Sequence, residues 1–498
     1  MHNGFIVEVK ELKSHPNADK LQITTFFGET VIVGLDTKIG DIGVYFPCDI
    51  QLSLEYCDNN NLCRKNADGT NGQGYLERDK RNIKAISLRG EKSYGLYAPL
   101  SSLAFTGADL ATFKVGDTVS AVNGILICKK YIPRSSTRRG HYSEGNKTRK
   151  HKVPVAPLFA EHADTEQLAY NLDAFKPGDE IEITLKMHGT SQRTGYLPVF
   201  KGYKDSLPRR IINKIYMGLK VGKNWGANGT KVLYDSLKHG EPIYDWGYVS
   251  GTRRTVLEDF EGGYYGSNEF REAHSKFFEG KLWKGETVYY EVVGFTDTGT
   301  PIMASGDNKK LNDSDFVKQY GDTTVFSYGC HPDGGYEIMV DGQELDTNTT
   351  WVNIPQSDIY VYRMTMTNED GNVVEYTPDF MRYRCKQMGA KTVPVLWKGT
   401  IPYTVDDIES TIPGHRIVLK EGENAGEWIK KVAEQYYDGP DPIGKTHIRE
   451  GVVVRILNRP KFCAYKHKNF AFKCISGIIA ESVANDDYTV DEEVLAEL

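Results

Sequence analysis

Lys186 closes an apolar run, Ile181-Glu-Ile-Thr-Leu185, and opens a turn through Met187, His188 and Gly189. A lysine at a strand end among apolar neighbours has its ammonium form disfavoured, and a neutral amine is a competent nucleophile toward phosphorus. Much further along, Glu450 stands directly before Gly451-Val-Val-Val-Arg455, a carboxylate at the mouth of an apolar β run. One chemistry uses both: a lysine that attacks a nucleoside triphosphate and holds the nucleotide as a phosphoramidate. Three segments between and beyond them fit the same chemistry. Glu291 lies inside Tyr289-Tyr-Glu-Val-Val-Gly294, where an unpaired carboxylate is costly unless a ribose hydroxyl or a metal-bound water offsets it. Tyr362, in Ile359-Tyr-Val-Tyr-Arg-Met-Thr365, is a flat ring beside a cation and suited to stacking on a base. Lys473, in Phe470-Ala-Phe-Lys-Cys-Ile-Ser476, is expected near the end of a last strand.

These groups need elements to hold them. Residues 4–130 read as a compact β unit, with strands expected at Ile6–Val9, Thr30–Gly34 and Gly43–Pro47, and turn dipeptides at Gly40-Asp41 and Gly116-Asp117. Residues 131–155 differ from their surroundings: Ser135-Ser-Thr-Arg-Arg-Gly140 and Asn146-Lys-Thr-Arg-Lys-His-Lys152 are polar, basic and poor in aliphatics. They read as a linker, and as the best basic track for phosphate in an acidic chain. From Phe175 onward the pattern is strand-rich, with apolar runs at Ile181–Leu185, Val288–Phe295, Ile359–Thr365 and Gly451–Leu457, and one clear helical period over Glu423–Tyr437. Two stretches, Lys204–Gly240 and Asp333–Trp351, read as insertions.

Composition limits the function classes. The chain has 498 residues, 39% hydrophobic and 26% charged, enough for two to four domains of ordinary globular character. A net charge of -6 excludes binding of nucleic acid by bulk positive charge, so any polyanion must meet a local basic track. The 8 cysteines form no CxxC pair, and Cys57 and Cys63 have no second pair to complete a zinc set. The opening Met-His-Asn-Gly-Phe-Ile-Val-Glu has neither a basic n-region nor an apolar h-region, and no run spans a bilayer, so a cytoplasmic protein with no membrane partner is expected.

In order and content, these segments resemble the motifs of the covalent nucleotidyltransferase superfamily of ATP-dependent ligases and capping enzymes. Lys186-Met-His-Gly-Thr-Ser-Gln-Arg193 resembles the first motif, with histidine where DNA ligases usually carry aspartate. Tyr289–Gly294 resembles the third motif, Ile359–Arg363 the one after it, Glu450–Val454 the fourth and Phe472–Ser476 the fifth. The nearest match is the RNA ligases with an N-terminal OB-like domain, the Deinococcus type, and Arg81–Leu96 resembles a segment of their N-terminal domain. His15-Pro-Asn-Ala-Asp-Lys-Leu21 resembles the signature of tRNA-binding OB modules. Only residues 474–498 follow Lys473, too short a stretch for the C-terminal barrel of DNA ligases and capping enzymes.

The resemblance implies an α+β fold. An N-terminal OB-like β-barrel (1–130) is followed by a basic linker (131–160) and a nucleotidyltransferase domain (161–498) of antiparallel and mixed sheets flanked by helices. It implies an ATP-dependent RNA ligase, a monomer, joining 3′-hydroxyl to 5′-phosphate ends with Mg²⁺ or Mn²⁺. By matching position, Lys186 would take the AMP, Arg193 would contact the ribose or the attacking end, Glu291 the ribose or a metal-bound water, and Tyr362 would stack on adenine. Glu291 and Glu450 would serve the metal and Lys473 the α-phosphate; Arg253 and Arg254, in Val249-Ser-Gly-Thr-Arg-Arg-Thr-Val256, read as ligands of the RNA 5′-phosphate or pyrophosphate, or as a strand-end ion pair. The family's fifth motif often has two lysines two apart; here Ala471 precedes Lys473 at that spacing, and Lys466 and Lys468 are the nearest substitutes. Thr184 and Leu185 stand where relatives often place an acidic residue to read adenine, so ATP is inferred from the family. An RNA-binding protein with an inactive ligase-like core, and a capping-type guanylyltransferase, are the alternatives.

Overall fold

The computed structural model describes residues 3–131, 154–204, 242–303, 324–340, 349–403 and 424–475, apart from scattered positions within those ranges. Most of the expected basic linker, the insertion at 204–240 and the tail after 475 fall outside the described residues.

Two antiparallel sheets make up the larger part of the chain. The first has five strands in the order Glu166–Gln167, Ala464–Lys468, Gly451–Ile456, Glu180–Leu185 and Val395–Thr400. Only the short Glu166–Gln167 strand pairs in parallel. Ile181, Ile183 and Leu185 alternate with polar residues along Glu180–Leu185, and Val452, Val454 and Ile456 are buried on Gly451–Ile456. Ile181, Ile183, Val452, Val454 and Ile456 pack with Trp428, Ile429 and Val432 of the helix Ala425–Glu434. That helix begins where the sequence turns amphipathic, and Asn424 and Glu427 form a capping box at its start.

The second sheet has six strands in the order Val256–Leu257, Pro242–Gly251, Thr190–Tyr203, Glu286–Gly294, Ser357–Thr367 and Val373–Glu375. Helices Glu269–Phe277 and Pro378–Met388 cover one face through Phe270, Met381, Cys385 and Met388. Arg384 and Glu286, 2.7 Å apart and both buried, tie the second helix to the sheet. The other face receives Ala156 and Phe159, which pack on Leu197 and Val249. A third cluster, including Leu185, Met187, Val293, Tyr360, Ile448 and Phe472, joins the two sheets.

One element differs in type from the sequence expectation. Phe470–Ile475 is a short helix, not a strand. Asn469 decides this: its side-chain oxygen accepts from the backbone N–H groups of Ala471 (2.6 Å) and Phe472 (3.3 Å), the geometry of an N-cap. A six-residue apolar run fits either structure by periodicity, and the cap selects the helix. The described part of the second insertion is an antiparallel hairpin, Gly335–Val340 with Thr349–Ile354.

The N-terminal residues form smaller antiparallel sheets. Thr118–Val119, Gly4–Glu8, Ile42–Phe46 and Leu96–Pro99 make a four-stranded sheet in that order, and Lys13–Ser14, Leu21–Phe26 and Glu29–Gly34 a three-stranded one. Strand pairing among the described residues gives separate sheets, with no closed barrel. The segment His15–Leu21 clamps a hairpin: His15 Nε2 lies 3.1 Å from the Leu88 carbonyl, and the Asn17 amide donates to the Arg89 carbonyl at 2.9 Å. No helix among the described residues is long and apolar enough to cross a membrane. The described cysteines are all free thiols.

Candidate active site

Lys186 sits where the chain leaves the first sheet for the second. Its backbone N–H donates to the Gly451 carbonyl at 3.0 Å, one step beyond the Leu185–Val452 pair. Gly451 in turn pairs with Lys468. Three adjacent strands therefore bring Lys186, Glu450 and Lys468 to the same sheet end, although the first two lie far apart in sequence. Two glycines permit this approach. A Cβ on Gly451 would stand 2.1 Å from the His467 carbonyl oxygen, and its φ of +141° is one that side chains rarely adopt. A Cβ on Gly189 would stand 2.4 Å from the Val292 carbonyl oxygen and 2.8 Å from Glu291 Cγ.

Glu450 is the hub. Its Oε1 is 2.7 Å from Lys186 Nζ and 3.1 Å from Lys468 Nζ, and its Oε2 is 3.3 Å from His188 Nδ1. Burial alone would raise its pKa, but Lys186, Lys468 and His188 outweigh burial and hold it well below the usual carboxylate range. Lys468 is shifted down despite the pairing, because burial and the nearby Lys186 disfavour its charge more than Glu450 favours it. His188 also has Nε2 2.5 Å from the Met303 carbonyl, and its backbone N–H donates to the Tyr328 hydroxyl at 2.7 Å. Its ring is wedged between Phe326 and Phe472. His188 thus orients the carboxylate that contacts the nucleophile, a role its sequence position alone did not suggest.

Glu291 reaches the same space from the second sheet, paired across the strands with Ser191 and Tyr360. Burial pushes its carboxyl up to about 7; Lys186 opposes this and Glu450 adds to it. The two carboxyls near the lysine are thereby pushed apart, Glu291 up and Glu450 down. The Tyr362 hydroxyl is 2.8 Å from Ser191 Oγ, and its ring lies 5.1 Å from that of His162. Burial, with Glu291 adding, pushes the Tyr362 phenol up. Its neighbour Arg363 is engaged by Glu375 and stacks over Tyr289 and Phe462 at 4.6 and 4.8 Å, so that cation is committed to the fold.

Arg193 is 1% exposed, lies 4.4 Å over the Phe159 ring, and donates from its Nη1 to the Arg253 carbonyl at 2.7 Å. Burial lowers its pKa, and its buried Nε has no hydrogen-bond partner among the described residues. The side chains of Arg253 and Arg254 are exposed. Arg271, not anticipated from sequence, anchors the start of the strand after the nucleophile by donating to the Ser191 carbonyl (3.2 Å) and Thr190 Oγ1 (2.5 Å).

Lys473 lines one cavity with Lys468, His467 and Glu29. Its Nζ is 3.5 Å from Glu29 of the N-terminal sheets, whereas Lys468 occupies the place beside Glu450. The sequence signal for this was the Lys466-His-Lys468 spacing. The carboxylates near Lys186 that could serve a divalent ion are Glu291 and Glu450, and no group of three His, Cys, Asp or Glu that could hold a metal occurs among the described residues. That pair fits a hard ion that keeps most of its waters.

No protein-family model matches the sequence, and no curated protein matches it. Solved structures do. A Naegleria gruberi RNA ligase with pyrophosphate is similar with a TM-score of 0.52 at 16% identity, over 95% of this chain and 98% of that one. A lysine-to-methionine variant of the Naegleria ligase with AMP and manganese gives 0.51 at 16% identity, over 95% and 98%. A lysine-to-alanine variant without ligand gives 0.51 at 17%, over 95% and 98%. The fold, mixed α and β with several antiparallel sheets and few helices, is thus that of RNA ligase structures.

Proposed function

We propose that this protein is an ATP-dependent RNA ligase that seals 3′-hydroxyl and 5′-phosphate RNA ends through a covalent lysyl-AMP on Lys186. The observation that carries the reading is the convergence of Lys186, Glu450, Lys468 and Glu291 at the junction of the two sheets. The Naegleria ligases of similar fold, with AMP and manganese or with pyrophosphate, support it.

In the first step Lys186 Nζ attacks the α-phosphorus of ATP; a P–N bond forms, the α–β P–O bond breaks and pyrophosphate leaves. Glu450 orients Nζ, and Lys468 takes the developing charge on the α-phosphate. Glu291 bonds the ribose or a metal-bound water, Arg193 shapes the ribose side, and Tyr362 stacks on adenine. Glu291 and Glu450 would hold a hydrated Mg²⁺ or Mn²⁺, which when bound supplies charge that offsets that of the phosphates. In the second step an RNA 5′-phosphate oxygen attacks the AMP phosphorus and breaks the P–N bond, freeing Lys186. In the third the 3′-hydroxyl attacks the 5′-phosphate phosphorus and AMP departs. The exposed Arg253 and Arg254 contact the RNA 5′-phosphate. Residues 1–130 act as an OB-like RNA-binding domain, 131–160 as its basic linker and 161–498 as the catalytic domain.

Lys186→Ala is expected to abolish covalent labelling by α-labelled ATP. Persistent labelling of that variant would remove the assignment. Labelling by GTP in preference to ATP would favour a capping-type guanylyltransferase.

A further inference from the structure

Beyond the adenylation site, one surface has an arrangement that the proposed chemistry does not use. The strands Thr190–Tyr203 and Pro242–Gly251 run past the rest of their sheet as a two-stranded ribbon. Their register sets Tyr196 opposite Tyr248, Pro198 opposite Trp246, and Phe200 opposite Tyr244. Alternation along a strand puts all six on one face of the ribbon. Tyr196 and Tyr248 stack with ring centroids 4.6 Å apart and an interplanar angle of 17°; Trp246 lies 5.8 Å from Tyr196, and Phe200 6.0 Å from Tyr244. All six are half-buried. Gln192 and Thr194, earlier on the same face, are buried beside the helix Glu269–Phe277.

The ladder is fixed at its base and flanked by cations. Gly280 N–H donates to the Tyr248 hydroxyl at 2.6 Å, and Gly285 N–H to the Tyr196 carbonyl at 2.9 Å. The loop so held carries Lys284, with Nζ 5.3 Å over the Trp246 ring, and Lys281, with Nζ 3.4 Å over Phe277. Rings recurring every two residues are about 7 Å apart along the ribbon, close to the phosphate repeat of an extended single strand. A row of π faces with lysines beside it is the chemistry of sequence-tolerant base stacking.

We propose that this ribbon face binds single-stranded RNA by stacking bases on Trp246, Tyr248 and Phe200, with Lys284 meeting the backbone. Ser191 and Arg193 point to the opposite face of the sheet, so the ladder holds a distal stretch of RNA and not the end that reacts. The inference goes beyond the ligase reading and is measured without ATP, so failure of either leaves the other standing.

The test is fluorescence anisotropy of a labelled oligouridylate titrated with the full chain. Trp246→Ala is expected to raise Kd roughly 5- to 100-fold, Trp246→Phe to restore most of the affinity, and Lys284→Ala to lower the salt slope by about 1. Labelling by α-labelled ATP stays at the wild-type level in each variant and reports folding. Unchanged affinity in both Trp246→Ala and Lys284→Ala overturns the proposal. Equal competition by heparin and by oligouridylate at matched charge also overturns it, because charge alone would then explain binding. So does a finding that Trp246→Ala alters self-association of the chain while leaving RNA affinity intact.

Discussion

At Glu450, two lysines and a histidine meet one buried carboxylate, and the identity of the second lysine is the sharpest lesson of the site. The apolar context of Lys473 read as a strand, but Asn469 caps a helix there and Lys473 turns to Glu29. Lys468 ends the strand paired with Gly451 and so arrives beside Glu450 by register alone. The expected outcome is that Lys468→Ala lowers the rate of lysyl-AMP formation about 100-fold or more, the scale of losing a group that meets transition-state charge. Lys473→Ala should stay within about 3-fold, as for a partly exposed ion pair. Single-turnover labelling measures both, and the reverse ranking would return the α-phosphate to Lys473. Lys186, Glu291 and Glu450 were legible as chemistry because each is a charged group set against apolar strand residues. His188 and Arg271 were not, since their roles depend on Glu450, the Ser191 carbonyl and the Thr190 hydroxyl, contacts that neighbouring sequence does not encode.

Among elements, the strands Glu180–Leu185, Glu286–Gly294, Ser357–Thr367 and Gly451–Ile456 lie within about two residues of where their apolar runs placed them. Helix Glu269–Phe277 was not anticipated: its buried positions include Arg271 and Ser275, polar residues satisfied by the neighbouring sheet. Its last turn carries His274, whose Nε2 lies 2.8 Å from Ser357 Oγ. Burial pushes this imidazole down to about 4, so below about pH 6.5 the unfolded chain binds the proton that the folded chain refuses. Stability from this group is therefore complete above pH 6.5 and is lost as pH falls through about 4. Replacing it, His274→Gln, should flatten the acid side of the stability curve by about 2 kcal/mol, measured as urea midpoints at pH 7 and pH 5. Parallel curves for the two proteins would show that His274 takes up its proton in the folded state as easily as when unfolded.

Over the whole molecule, the N-terminal sheets meet the two larger sheets in part through the tip of one hairpin. Phe27 and Gly28 both take positive φ there, at 52° and 76°. The Phe27 ring lies 5.5 Å from that of Tyr170, the Phe5 ring lies 4.8 Å from it, and Lys430 Nζ is 3.5 Å from the Phe27 carbonyl oxygen. Phe27→Ser should leave lysyl-AMP formation within about 2-fold while lowering RNA sealing several-fold or more, with faster proteolysis between the two parts; equal loss in both assays would make the contact structural only. The strand order of the first sheet has a consequence for biosynthesis. Gly451–Ile456 lies beside Glu180–Leu185, and His188 meets Glu450 across 262 residues of chain. At about 5–20 residues per second, a ribosome needs on the order of half a minute to deliver that partner. A nascent or prematurely ended chain thus holds Lys186 without Glu450 beside it, so under the proposed function competence for adenylation comes late, and only to chains translated nearly to the last described strand.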